Sequence, residues 1–170
     1  VGATLSGATS ATITNGVATF AGLKFQGTPG TAYKLAFAST SLTAVVSANV
    51  TVVHGSAAAI EIVTQPRAAI TGDVITTQPI VRLVDRLGYV VTSDSSTVVS
   101  IDVSSGANGS FSGNTTAKFS QGIATFAGVV FTGTPNVAYT AAFSATPDTA
   151  LITSADSASI TVTHAAASQL

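Results

Sequence analysis

The chain repeats itself, and that constrains its fold more than any other feature. Residues 15–22 read NGVATFAG and residues 121–128 read QGIATFAG, while GTPGTAY at 27–33 is answered by GTPNVAY at 133–139. Both pairs stand 106 residues apart, as do LSGATSATIT at 5–14 and FSGNTTAKFS at 111–120. Further on the spacing widens to 110, with ANVTVVHG at 48–55 matched by ASITVTHA at 158–165. A four-residue insertion in between is expected at 146–150, where Pro147 and Asp148 have no counterpart in the shorter copy. AAASQL at 165–170 aligns with GSAAAI at 55–60. Self-similarity at a fixed period is the mark of an array of like units. The expected organisation is the C-terminal half of one repeat over residues 1–55, a complete repeat over 56–164, and the start of the next over 165–170.

Inside the complete repeat the hydrophobic period is two. The segments at 60–66, 79–85, 97–103, 115–120, 124–131, 137–144 and 159–164 are short, rich in β-branched and aromatic residues, and bounded by Gly, Pro, Asn, Asp or Ser, which reads as strands. Val99, Ile101 and Val103 alternate with Ser100 and Asp102, and Tyr139, Ala141 and Phe143 alternate with Thr140, Ala142 and Ser144, placing each set on one face. No apolar stripe of helical period with caps occurs. The predicted fold class is all-β, as tandem immunoglobulin-like antiparallel β-sandwiches: about seven short strands in roughly 105 residues with regular turn signals suit that fold. There is no cysteine and no tryptophan, so apolar packing alone must join the two sheets. Phe111, Phe119, Phe126, Phe131 and Phe143 are the expected large core residues. Tyr139, entering a late strand after a Gly-Thr-Pro-Asn turn, is the expected tyrosine corner.

At PIVRLVDRLGYVV (79–91), followed by GIATFAG and GTPNVAY, the chain resembles the bacterial immunoglobulin-like (Big-type, invasin- and intimin-like) repeats of large secreted surface or fibre proteins. Val84, Asp85, Gly88 and Val90 match the family's first element, with Tyr89 in place of its usual Asn. Gly122, Ala124 and Phe126 match the second element and Tyr139 the third; Gly16, Ala18, Phe20 and Tyr33 repeat these last two. The resemblance covers essentially the whole chain and implies the sandwich fold. Such modules serve as stalks, spacers, adhesins and fibre subunits alike, because fold does not determine function.

The chemistry read from the residues is largely negative. Without cysteine, thiol nucleophiles, redox pairs and zinc-finger sets are excluded. The net charge of −1 gives no electrostatic footprint for nucleic acid, and no run of residues reaches the ~18–20 apolar positions of a membrane-spanning helix. His54 and His164 are equivalent positions at unit junctions, expected about one domain length apart, and no G-x-S-x-G element occurs. Residues 1–55 contain no acidic residue. No enzyme is expected, with no catalytic and no cofactor-binding residue and no cofactor. The acidic residues Glu61, Asp73, Asp85, Asp94, Asp102, Asp148 and Asp156 are too dispersed for calcium, which gathers six to eight oxygens, so no metal is expected. Asp85 is read as the acceptor for backbone N–H groups of the turn that Gly88 permits. Pro66 and Pro79 are placed at strand ends. The sequons at Asn49, Asn108 and Asn114 matter only where the source glycosylates Asn, and a Lys–Asn cross-link would have to use Lys118.

Only 8% of residues are charged, against about 25% in an ordinary soluble domain. A surface of Thr, Ser and Ala offers little defence against edge-to-edge pairing and suits a module covered by neighbours. The expected role is a structural module of an extracellular or cell-surface fibre, sheath or surface layer. Its expected partners are neighbouring repeats or copies of itself, assembled head to tail. The alternative is a stalk, or a module binding a glycan or cell-surface receptor, in an adhesin. The half-repeat at 1–55 should need completion, either by upstream chain, which is favoured, or by strands inserted from another subunit.

Overall fold

In the computed structural model the described residues are 2–67, 69–146, 152 and 154–164. They contain strands and turns but no helix, so none is long and apolar enough to cross a membrane. The insertion expected at Pro147–Asp148 and the tail at 165–170 lie outside the described residues. The chain divides into two compact units, Val1–His54 and Gly55–Leu170.

The first unit holds β1 (Thr4–Ser6), β2 (Ile13–Thr14), β3 (Val17–Ala18), β4 (Lys24–Gln26), β5 (Ala32–Tyr33), β6 (Ala36–Ser39), β7 (Leu42–Val46) and β8 (Val50–Thr51). They pair two by two, β1 with β4, β2 with β3, β5 with β8 and β6 with β7. The second holds β9 (Ala57–Thr64), β10 (Ala69–Ile70), β11 (Asp73–Val74), β12 (Ile80–Asp85), β13 (Val98–Ser105), β14 (Ser110–Gly113), β15 (Thr116–Lys118), β16 (Ile123–Thr125), β17 (Val129–Thr132), β18 (Ala138–Thr146), β19 (Ala155–Asp156) and β20 (Ile160–Thr163). Its strands form the orders β16-β12-β9, β11-β17-β14 and β10-β20-β18-β13-β15, with β19 beside β18.

The second unit's sheets share one core. Val99 and Ile101 of β13 and Tyr139, Ala141, Phe143 and Ala145 of β18 are buried, with Ser100, Asp102, Thr140 and Ser144 turned away. Ile60, Val81 and Leu83 reach the same cluster from β9 and β12, and Val129 and Phe131 from β17. Facing layers with period-two burial are compatible with the sandwich expected from sequence. Phe119, Phe126, Phe131 and Phe143 are fully buried, as read from their positions; Phe111 is only half-buried and packs edge-on to Phe131 at 4.8 Å.

Three details depart from the sequence reading. The single apolar run at 124–131 is two strands, because Gly128 takes φ 75° and turns the chain between β16 and β17. The pairing is not wholly antiparallel: β10 lies parallel to β20, with Ala69 opposite Val162 and Ile70 opposite Thr163. Pro66 separates β9 from β10 and has no N–H for a ladder, so the chain leaves the β12 pairing there and its continuation joins a different sheet. Finally, β14 at 110–113 is a strand of its own, antiparallel to β17.

Asp85 fixes the connection after β12. Its carboxylate accepts N–H bonds from Leu87 (2.9 Å) and Tyr89 (3.0 Å), and from Gly55 at the start of the unit (2.7 Å). Its own carbonyl accepts from Gly88, which has φ 80°. The side chain is 5% exposed, so its removal would strand backbone donors in a partly dry turn. Asp85→Ala is expected to destabilise the second unit by roughly 2–4 kcal/mol, the scale for losing several charge-assisted bonds made by one buried carboxylate. Chemical denaturation of the variant, followed by far-ultraviolet circular dichroism, measures this.

Candidate functional site: an open core face

The two units share a set of matching local contacts. Asn15–Gly16 and Gln121–Gly122 form the same two-residue turn, with φ 50° and 79° in one and 50° and 74° in the other. A Cβ on Gly7 would collide with the Gly22 carbonyl oxygen, and one on Gly113 with that of Gly128, so the close approach requires glycine at both places. The Tyr33 hydroxyl accepts from Thr28 N–H at 2.9 Å, and the Tyr139 hydroxyl from Thr134 N–H at 2.8 Å. Phe25 meets Tyr33 edge-on at 5.0 Å, as Phe131 meets Tyr139 at 4.9 Å; Phe20 lies 5.5 Å from Phe37, as Phe126 lies 5.7 Å from Phe143. The Ser47 hydroxyl bonds Leu35 N–H and the Ala48 carbonyl, and Ser157 does the same for Ala141 and Ala158. The strand registers agree too: Leu5 pairs with Phe25 and Phe111 with Phe131, and Tyr33 pairs with Val50 and Tyr139 with Ile160.

Burial is where they part. Phe119, Phe126 and Phe143 are at most 1% exposed, whereas their counterparts Ile13 and Phe37 are 52% and 36% exposed and Phe20 is half-buried. Gly27 is the sole buried residue among those described in the first unit. Ile13, Ala18, Phe20, Leu23, Leu35 and Phe37 line a groove of about 890 Å³. All six correspond to fully covered positions of the second unit: Phe119, Ala124, Phe126, Val129, Ala141 and Phe143. This face is the candidate functional site.

The remaining candidates stand apart from it. His164 is exposed and His54 half-buried, in separate units. No group of three or more acidic or histidine residues among those described could hold a metal. Asn49, Asn108 and Asn114 are exposed, and the Asn114 side-chain amide donates to the Ala127 carbonyl at 2.9 Å. Lys118 is exposed on β15, where it is near enough to act electrostatically on Asp94. Tyr139 does more than a corner requires, since its hydroxyl also donates to the Ala107 carbonyl at 3.1 Å. Hydrogen bonding from the Thr28 amide lowers the Tyr33 phenol from its usual range.

Asp94 closes the loop before β13. Burial there pushes its pKa up, but bonds from the Thr97 hydroxyl (2.7 Å), the Thr97 amide (3.0 Å) and the Ser96 amide (3.1 Å), with Lys118 nearby, outweigh it and hold the carboxyl below the usual aspartate range. Compared with known proteins, the chain matches no family model and no curated sequence.

Three outcomes follow from this geometry. Phe143→Ala is expected to destabilise the second unit by about 3–5 kcal/mol, the range for a fully buried Phe. Phe37→Ala should destabilise the first unit by only about 1–2 kcal/mol, because that ring is 36% exposed and so buries less surface. Paired denaturation and hydrogen-exchange measurements on the two variants compare them. For Asp94, a depressed folded pKa means that its contribution is complete above the ordinary aspartate value of about 3.9 and is lost as pH falls through the folded value. Asp94→Asn should therefore lower stability near neutral pH and leave it nearly unchanged in strong acid, as read from unfolding midpoints across that range.

Proposed function

We propose that this chain is a non-enzymatic structural module of an extracellular or cell-surface fibre, sheath or surface layer, built from tandem immunoglobulin-like repeats of the Big type. One observation carries the reading: two successive units reproduce the same turns, tyrosine bonds and ring pairs although one has a closed core and the other an open one. A conformation kept in that detail across repeats supports a role in which each unit presents the same shape to the next. In an array of this kind, stability comes from the units and from nearest-neighbour contacts, and the assembly grows along one axis. The low charge supports it as well, since neighbours in an assembly cover surface that a free domain would have to keep soluble. Its partners on this reading are neighbouring repeats or further copies of itself.

The test is location and form. Antibodies raised against residues 55–164 are expected to label filaments or a continuous coat on intact, unpermeabilised cells of the source organism by immunogold microscopy. Labelling that requires permeabilisation would overturn the proposal, and labelling confined to discrete tips that bind host glycan or receptor would favour an adhesin instead.

A further inference from the structure

The second unit shows what the open face of the first is shaped to hold. In it, the counterparts of the groove residues are covered by the stretch from β9 to β13, through Ile60, Ile75, Val81, Leu83, Val99 and Ile101. The same stretch also pairs with five strands, β15 through β18 and β20, and four of these pairings have strand-edge counterparts in the first unit. Val81 of β12 lies opposite Ala124, Val74 of β11 opposite Val130, Ile101 of β13 opposite Phe143, and Ala69 of β10 opposite Val162. The first-unit counterparts of those four partners are Ala18, Lys24, Phe37 and Val52, spaced 106 residues from the first three and 110 from the last. Ala18, Lys24 and Phe37 lie in β3, β4 and β6, each paired with a single neighbour, and Val52 directly follows β8, which likewise has one. The apolar groove and the strand edges that flank it thus match the same missing partner.

We propose that the open face of residues 2–54 is a docking site for a β-segment with the strand pattern of residues 57–105, entering from the N-terminal side of β1. In register it places an Ile101-like side chain opposite Phe37, a Val81-like one opposite Ala18 and a Val74-like one opposite Lys24. Entry from that side follows the second unit, where β13 passes into β14, the counterpart of β1, through the short connection 106–109. The occupant carries alternating apolar side chains for the groove and main-chain groups for the edges, the combination by which added strands gain affinity and specificity together. A second copy of the chain is a poorer fit, because its own residues 57–105 already fill its own core. The inference rests on the correspondence between the units and not on where the protein is located, so a negative labelling result leaves it standing.

The experiment joins a second copy of residues 55–106 directly ahead of residue 1 of the full chain and follows amide exchange by mass spectrometry. Protection over 17–39 is expected to rise about 100-fold or more, from that of a fraying edge towards that of 123–145 in the same molecule. An added copy carrying Val81→Lys and Ile101→Lys should restore fast exchange over 17–39 and leave 123–145 unchanged. The register has an independent readout, since the protein has no cysteine. Ala18→Cys in the chain with Val81→Cys in the added copy should form a disulfide on mild oxidation, directly opposed residues of paired strands being within bridging distance. Equal exchange over 17–39 with and without the added segment would overturn the proposal. So would slow exchange there in the strictly monomeric 1–170 chain, or protection in that chain that rises with concentration, which would make a second copy the occupant.

Discussion

The second unit depends on two groups of interlocked rings. Phe131 packs edge-on against both Phe111 and Tyr139, and Phe126 packs edge-on against Phe143. With no disulfide available, these rings and the aliphatic side chains around them are what hold the sheets together. Fully burying each ring contributes on the order of 1.5–3 kcal/mol of transfer free energy, with about 0.5–1.5 kcal/mol more for a well-placed aromatic pair. Tyr139 adds direction to that packing. Its ring is in the core, while its hydroxyl joins Thr134 and Ala107 and so fixes two loops against the strand that carries it.

Polar groups at the margins of this core are satisfied locally. Asp85 gathers three amides and Asp94 a hydroxyl and two amides. Gln78 accepts from the Val129 amide and donates to the Ile75 and Val129 carbonyls, joining the approach to β12 to β17. Among the described residues no buried side-chain nitrogen or oxygen lacks a partner. Among the described acidic side chains, Asp85 and Asp94 shape turns and Glu61 pairs with Arg82 at 2.7 Å.

The first unit shows which part of that design is local and which is not. Its turn, tyrosine bond, ring pairs and serine bridge form without the strands that bury their counterparts. Each of these features links residues within about twenty positions of one another and so needs little chain closure. Core burial does not form there, because in the second unit it depends on residues 57–103 folding over the same face. Exposed Ile13 and Phe37 mark that difference directly.

Much was legible in the sequence because it is periodic. Alternation in 97–103 and 137–144 gave the strands and their buried faces, and the 106-residue spacing of NGVATFAG and GTPGTAY paired residues that proved to make the same bonds. Asp85 was readable as a turn acceptor from Gly88 three positions on, although its bond to Gly55 thirty residues away was not. The parallel seating of β10 on β20 and the break at Gly128 were likewise invisible, since both depend on which distant strand offers an open ladder. The sequence reading expects residues 1–55 to be the C-terminal half of a repeat, but does not say which side chains are left in water. Periodicity determines which way a residue points; only the tertiary structure decides whether anything is there to meet it, because burial is set by the layer that packs on top.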